Sequence, residues 1–145
     1  MIDVHFVALD GALDAPGYAR PGDAGADLVA RVGIEIAPAG GRARVATGLA
    51  LQLPEGFAGL VLPRSGLAAR HGVTCLNAPG LIDPGYRGEI EVLLVNTDPS
   101  EAYRVERGDR IAQLLIVAFE AATFTKVSTL DESARASGGF GHTGR

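Results

Sequence analysis

Residues 89–96, EIEVLLVN, begin with charged and branched apolar side chains in alternation. Ile90, Val92 and Leu94 fall on one side of an extended chain and the two glutamates on the other, as a strand with one buried face requires. Toward the end of the run apolar residues occupy both sides, which indicates burial on both faces. The stretch therefore predicts a β-strand that enters the protein core.

Short runs of the same kind recur along the chain, separated by turn signals such as APAGG, LPEG and TDPS. Helical periodicity is nearly absent, and the only helix we expect is about one turn at residues 65–71. Many short strands at this spacing are typical of a sandwich, barrel or jelly roll. The sequence therefore predicts an all-β fold with one short helix. The other predicted strands are residues 32–37, 44–53, 57–62, 111–119 and 123–127.

The length of 145 residues is that of one domain. We place this domain at residues 1–132 and expect a flexible glycine-rich tail at residues 133–145. A lone cysteine, Cys75, cannot form an internal disulfide, and with His71 as the only nearby soft ligand it does not suggest a zinc site.

Charge and hydropathy exclude several classes of partner. The net charge of −4 argues against a nucleic-acid surface, which needs a basic field. No apolar run approaches the roughly 18 residues of a membrane span, so we expect no membrane partner. The N-terminus lacks a basic head followed by an apolar core, and a cytoplasmic location is the default expectation.

Residues 78–92, APGLIDPGYRGEIEV, contain the most informative candidate site. The Asp83-Pro84-Gly85 sequence predicts a type II turn, and hence a hairpin with arms near residues 81–82 and 89–90. Asp83 would then lie at the mouth of this hairpin. Taken alone, Asp83 is better explained as an ordinary turn residue, and Tyr86 could equally be a core aromatic.

Three further stretches carry polar side chains at strand ends. In residues 62–70, LPRSGLAAR, exposed backbone N–H groups, a hydroxyl and a guanidinium could form an anion cradle or simply a polar turn. Asp27 begins one apolar strand, while Arg110 and Gln113 lie around another. In isolation, Asp27, Arg110 and Gln113 are better explained as solvated residues at strand ends.

The chain ends RASGGFGHTGR, residues 135–145. Glycine-rich termini are usually disordered. Phe140 does not fit that interpretation, because a solvated tail gains nothing from an aromatic ring.

Taken in order, AGADL, PRSGLA, GLIDPGYRGEI, GDRIAQL and RASGGFGHTG resemble the motifs of the trimeric deoxyuridine triphosphate nucleotidohydrolases, the dUTPases. The resemblance spans residues 24–144, in the family's order and spacing. It implies a distorted jelly-roll barrel or sandwich that assembles as a homotrimer. It also implies hydrolysis of dUTP to dUMP and diphosphate by attack of water on the α-phosphorus, which lowers dUTP and supplies dUMP for thymidylate synthesis.

The resemblance gives Asp83 the role of the catalytic aspartate that orients and deprotonates the water. It also implies contacts to the α- and β-phosphates, where charge builds during the reaction. The residues matched to those contacts are Arg64, Ser65, Gly66 and Gln113. The family uses Mg²⁺ chelated mainly by the triphosphate, and Asp27 would reach it only through water. Arg110 could hold Asp27 or face phosphate, and the sequence does not decide.

Uracil recognition in the family comes from the backbone of the hairpin. Main-chain groups of Leu81 and Ile82, and of the returning strand near Glu91, would pair with the edge of the base, with Asn77 beside them. Tyr86 matches the tyrosine whose ring packs on the deoxyribose and excludes a 2′-hydroxyl.

The tail matches the motif that closes over the substrate as a lid. Arg135 resembles the γ-phosphate arginine and Phe140 the aromatic that stacks over uracil, and Gly141 lies between such contacts. His142 departs from the family, which commonly has serine there, and could contact the γ-phosphate by its backbone or as a pH-dependent cation. The sites would form between subunits, so an isolated monomer should be inactive.

Two rival hypotheses follow from the same sequence. The dCTP deaminases share the fold, but PRSGLA followed by DPGYRGE favours the hydrolase, and the deaminase's own glutamate-centred motif is not apparent. The second rival is a non-catalytic trimer that binds a nucleotide or a protein. The presence of suitable residues at all the catalytic positions argues against it.

Overall fold

In a computed structural model of the chain, the residues described are 2–13 and 15–133. The predicted tail contacts of Arg135, Phe140, Gly141 and His142 lie outside these ranges. Within them the chain forms ten strands and one helix. Their bounds are β1 His5–Ala8, β2 Ala26–Val29, β3 Ile34–Ile36, β4 Gly41–Gln52, β5 Phe57–Leu62, α1 Ser65–His71, β6 Val73–Cys75, β7 Gly80–Ile82, β8 Glu89–Asn96, β9 Tyr103–Val105 and β10 Arg110–Ala118.

The described strands pair in three antiparallel sheets. One four-stranded sheet has the order β1-β4-β8-β6, the other has the order β2-β10-β5-β7, and β3 pairs with β9 alone. The predicted fold of short strands with one short helix is confirmed. These pairings give separate sheets, as in the sandwich alternative, and no closure into a barrel is seen among the described strands.

One hydrophobic core joins the two four-stranded sheets. Ile90, Val92 and Leu94 of β8 are at most 2% exposed, which confirms the predicted buried face of this strand. They belong to the same packed cluster as Leu28 of β2 and Ile111 of β10. Burial of each large aliphatic side chain contributes about 1.5–3 kcal/mol, so this cluster fixes the two sheets against each other.

The helix occupies the predicted residues, Ser65–His71. It ends because Gly72 adopts a left-handed conformation, φ 63°, and donates its N–H to the last turn. No helix within the described ranges is long and apolar enough to cross a membrane.

The predicted strand bounds fail in three places. The strand predicted at 44–53 begins three residues earlier and spans Gly41–Gln52. The first predicted strand shrinks to Ile34–Ile36, and Val32 before it is 48% exposed. The strand predicted at 123–127 is wrong, because these residues form no strand and Phe124 is 95% exposed. β-propensity reflects packing on neighbouring strands, and no strand in the described ranges pairs with this segment.

Candidate active site

The segment between β7 and β8 joins two different sheets. Residues 80–82 pair with residues 59–61 of β5, whereas β8 pairs with β4 and, at residues 94–96, with β6. The expected hairpin is therefore wrong in its pairing, since its two arms part and each continues a separate sheet. Because the arms part, β7 and residues 90–93 of β8 line a space between them.

The turn itself lies at the predicted position but has a different type. The N–H of Tyr86 donates to the carbonyl of Asp83 at 3.0 Å, which closes the turn. Gly85 is not among the glycines with positive φ, so the expected type II turn is wrong. The Arg87 guanidinium donates to the carbonyls of Pro84 and Tyr86, at 2.6 and 2.8 Å, which ties the turn down. Asp83 is exposed at its start.

The space between the arms is a cavity of about 160 Å³. Its walls are mainly apolar side chains and the main chain of the two arms. A methyl group added at Gly80 would lie 3.3 Å from Val61 and 3.4 Å from Asn77, so this glycine lets the walls approach closely. The lining residues are Val61, Asn77, Gly80, Leu81, Ile82, Tyr86, Ile90, Glu91, Val92 and Leu93.

A second group of predicted site residues surrounds Asp27. Its carboxylate lies 3.3 Å from Nε of Arg64 through Oδ1 and 3.3 Å from Nη1 of Arg110 through Oδ2. Arg64 also donates through Nη1 to the carbonyl of Arg110 at 3.0 Å. Gln113 of β10 pairs directly with Asp27 of β2 and with Leu62 of β5. The sequence left open whether Arg110 holds Asp27 or faces phosphate, and the structure shows that it contacts Asp27.

The approach to the helix completes this second group. Ser65 is exposed and Gly66 half-buried, and the first intrahelical bonds come from Leu67 and Ala68 to the carbonyl of Arg64. The N–H groups of Ser65 and Gly66 therefore have no intrahelical partner. A methyl group added at Gly66 would lie 3.0 Å from Nη2 of Arg70, so that guanidinium covers the same turn. Donors and cations at one place suit a bound anion.

Among the predicted site residues, only Asp27 was expected to interact with a metal ion. No group of three or more potential ligands among His, Cys, Asp and Glu occurs in the described part of the chain. Oδ1 of Asp27 is buried, and it is the one buried side-chain polar atom in the described ranges without a hydrogen bond. Two arginines beside it disfavour a bare cation. Oδ1 lies against Nε of Arg64 and is closed to solvent, so Asp27 offers no open ligand position, and a cation would have to arrive already chelated by an anion.

The structure thus brings the predicted residues together as two groups. The cavity group contains Asn77, Leu81, Ile82, Tyr86 and Glu91, with Asp83 at the adjoining turn. The second group, called the Asp27 group, contains Asp27, Arg64, Ser65, Gly66, Arg110 and Gln113. Among the described residues, no side-chain hydrogen bond or ion pair joins one group to the other.

Comparison with known proteins shows which family the chain belongs to. A sequence model described as dUTPase matches residues 12–144. The chain belongs to the dUTPase family. The deoxyuridine 5′-triphosphate nucleotidohydrolase of Thermobifida fusca (strain YX) is 56% identical over 143 residues, covering 99% of this chain and 79% of that protein.

Solved dUTPase structures share the fold. The Staphylococcus bacteriophage 80alpha dUTPase with dUPNHPP has a TM-score of 0.91 at 26% identity, covering 100% of both chains. A mutant dUTPase from phage phi11 of S. aureus, described with a structural Mg(II) ion, has a TM-score of 0.81 at 22% identity. It covers 88% of this chain and 98% of that chain, and at this identity the likeness shows the fold alone.

Sequence reasoning missed a charged network behind the dUTPase cavity. Arg31, Glu89, Asp10 and Arg107 contact one another there, although Arg31 and Glu89 are 58 residues apart in the sequence. No local pattern could have linked them. One signal was available: Gly48 interrupts the apolar pattern of β4, and an isolated glycine in a strand suggests a bulge.

Proposed function

We propose that this chain hydrolyses dUTP to dUMP and diphosphate, and so lowers dUTP and supplies dUMP for thymidylate synthesis. Family membership makes it a dUTP diphosphatase, a nucleotide hydrolase. The observation that carries the proposal is the cavity between the parted arms, with Asp83 at the turn that joins them.

The base of the nucleotide occupies the cavity. At about 160 Å³ the cavity is below the roughly 300–1,000 Å³ of drug-sized pockets, so it suits one small ring. Main-chain groups of Leu81 and Ile82, and those near Glu91, pair with the edge of uracil beside Asn77. Cytosine reverses a donor and an acceptor at that edge, and each buried mismatch costs about 1–3 kcal/mol. The close walls at Gly80 support exclusion of the thymine methyl group.

Tyr86 reads the sugar. Its side chain lines the cavity, and its hydroxyl donates to the carbonyl of Glu89 at 2.8 Å. In the proposed complex the ring packs on the deoxyribose and leaves no space for a 2′-hydroxyl. UTP is then a poor substrate.

Asp83 acts as the general base. Its carboxylate takes a proton from a water molecule, whose oxygen forms a bond to the α-phosphorus. The bond from that phosphorus to the oxygen bridging to the β-phosphorus breaks, and diphosphate leaves with the electron pair. Exposure of Asp83 at a tied-down turn supports this role, because the base must meet both water and substrate.

The Asp27 group binds the α- and β-phosphates through Arg64, Ser65, Gly66 and Gln113. Two arginines and one aspartate leave a net positive charge there, which favours a polyanion. Mg²⁺ held by the triphosphate would neutralise charge on the transferred group, and Asp27 would hold it through water.

We also propose a homotrimer with shared sites, in which one chain supplies the cavity group and another supplies the Asp27 group. The apolar side chains left exposed after β10 support this assembly, because contact with a partner chain would remove their surface from water. They are Phe119, Phe124, Val127 and Leu130. In the same proposal residues 1–132 form the domain and residues 133–145 a lid, in which Arg135, Phe140, Gly141 and His142 close on the nucleotide.

One substrate panel tests the activity. Diphosphate and ammonia release are measured with dUTP, dCTP, dTTP and UTP in the presence of Mg²⁺. We expect diphosphate from dUTP alone. Ammonia from dCTP would indicate a deaminase, and no turnover of dUTP would indicate a binding protein.

The role of Asp83 has a separate test. Asp83→Asn should abolish turnover but still bind dUTP, because the amide keeps the shape and loses the base. Asp3→Asn, at an aspartate whose side chain is 94% exposed, is the matched control and should keep full activity. Wild-type rates in Asp83→Asn would remove Asp83 from its role.

A further inference from the structure

An irregularity in the sheet lies directly behind the cavity. Ala46 pairs with Glu91 and Ala50 with Glu89, so three residues of β4 face the single residue Ile90 of β8. This bulge leaves backbone groups of β4 without ladder partners. Gly48, at φ 71°, occupies its centre and is buried.

Side chains replace the missing ladder bonds. The hydroxyl of Thr47 donates to the carbonyl of Ile90 at 2.7 Å. The N–H of Gly48 donates to Oε1 of Glu89, also at 2.7 Å. A buried N–H without a partner costs about 1–3 kcal/mol, so the carboxylate of Glu89 is held firmly in the bulge.

Arg31 holds the same carboxylate from the other side. Its Nη1 lies 3.4 Å from both oxygens of Glu89. Arg31 is fixed in turn, since its Nε lies 3.8 Å from Asp10 and its carbonyl accepts a bond from Arg107 at 2.7 Å. Arg107 also donates to Asp10 at 2.6 Å, which closes the network.

Glu89 connects this network to the cavity through its own backbone. Its carbonyl accepts the hydroxyl of Tyr86, and Tyr86 lines the cavity. A methyl group added at Gly88 would lie 2.5 Å from the Tyr86 hydroxyl, so glycine is needed for the ring to fold back onto its own loop. The position of the ring thus depends on where the bulge holds Glu89.

We propose that Glu89, locked between Gly48 and Arg31, is a positioning residue for Tyr86 and sets the selectivity for deoxyribose over ribose. The inference rests on the proposed function, because Tyr86 is taken to contact the sugar. Glu89 itself does not touch the substrate. It acts by fixing the carbonyl that orients the tyrosine.

The kinetic test compares kcat/KM for dUTP and UTP in four variants. Tyr86→Phe removes the hydrogen bond to the Glu89 carbonyl, and Glu89→Ala releases that carbonyl from the bulge. Each should therefore lower the dUTP:UTP ratio by about tenfold, the effect of one lost hydrogen bond. The double variant should lose no more than either single variant, because both remove the same constraint. Glu35→Ala, at an exposed glutamate of β3, should keep the wild-type ratio.

The conservative variant separates positioning from folding. Glu89→Gln keeps an oxygen for the Gly48 N–H and should keep most of the selectivity. Equal losses for dUTP and UTP in Glu89→Ala would show a merely structural role and overturn the proposal. A wild-type ratio in Tyr86→Phe would overturn it as well, whether or not Glu89→Ala folds.

A spectroscopic test does not depend on turnover. The chain has three tyrosines, so the ring signal of Tyr86 in a ¹³C-tyrosine NMR spectrum is assigned by its loss in Tyr86→Phe. That signal should move in Glu89→Ala and stay in place in Glu35→Ala. An unmoved signal would overturn the positioning role, whereas absence of dUTP turnover in the wild type would instead refute the proposed function.

Discussion

Asp27→Asn tests whether the carboxylate at the centre of the Asp27 group orients Arg64 beside it. The substitution keeps the shape of the side chain and removes its charge. The Asp27 side chain is 14% exposed and that of Arg64 25%, so their contact at 3.3 Å is poorly screened by solvent. Arg110 is 55% exposed, and its contact with Asp27 contributes less.

The geometry sets the size of the effect. Oδ1 accepts no hydrogen bond from Arg64, so their contact is an ion pair, for which about 1.5–2 kcal/mol is the lower end of the range for close, poorly solvated charge pairs. A loss of about 1.5–2 kcal/mol corresponds to a roughly 10- to 30-fold fall in kcat. The same change removes one negative charge beside a polyanion site, so KM should stay constant or fall.

Steady-state diphosphate release from dUTP, measured across a range of Mg²⁺ concentrations, gives both parameters. We also expect the variant to need more Mg²⁺ for half-maximal rate, because the carboxylate of Asp27 is proposed to hold the metal through water. Asp23→Asn carries the same charge change at an exposed residue and is the control. A wild-type kcat in Asp27→Asn, or an equal fall in Asp23→Asn, would refute the reasoning.

Three further predictions concern the frame of the molecule. Asn96→Ala should lower the free energy of unfolding by about 2–4 kcal/mol in urea titrations, because the carbonyls of Ile36 and Glu101 and the N–H of Asp98 lose their partner; a change below about 1 kcal/mol would contradict this. The hydrogen bond from Arg107 lowers the pKa of Asp10 from 3.8 to about 2, so the stability that it contributes is present above pH 4 and lost as the pH falls toward 2. Asp10→Asn should therefore flatten the acid limb of stability against pH in that window, and an unchanged limb would count against the ion pair. Phe124→Asp should weaken the proposed trimer in sedimentation experiments, since a charge replaces an apolar ring that is 95% exposed in the single chain; an unaltered trimer would place this residue outside the interface.

The bounds of elements that depend on residues close together in the sequence were predicted correctly. The runs at 57–62 and 89–96 and the helix at 65–71 have the predicted bounds, because alternation, turn residues and a terminal glycine are all readable within a few positions. The members of the Asp27 group were singled out by the family resemblance, and the structure places them together, but their role in binding phosphate stays a prediction.

Strand partners were not predictable in the same way. An Asp-Pro-Gly turn between two apolar arms predicts a hairpin, but the first arm pairs with β5 and the second with β4 instead of with each other. The strand expected at 123–127 failed for a related reason, because apolar and β-branched residues form a strand only where a partner edge exists. The Arg31–Glu89 contact is similarly non-local, joining residues 58 positions apart.

The parting of the two arms would allow a short loop to recognise a base through its backbone, as we propose. In a paired hairpin the N–H and C=O groups of both arms would bond to each other, and none would be left for a ligand. Here each arm is made rigid by its own sheet, so the facing groups stay free without becoming mobile. Changes to the exposed side chain of Leu81 or Glu91 leave those groups where they are. Changes to Ile82 or Ile90, both buried in the core that joins the sheets, would move them.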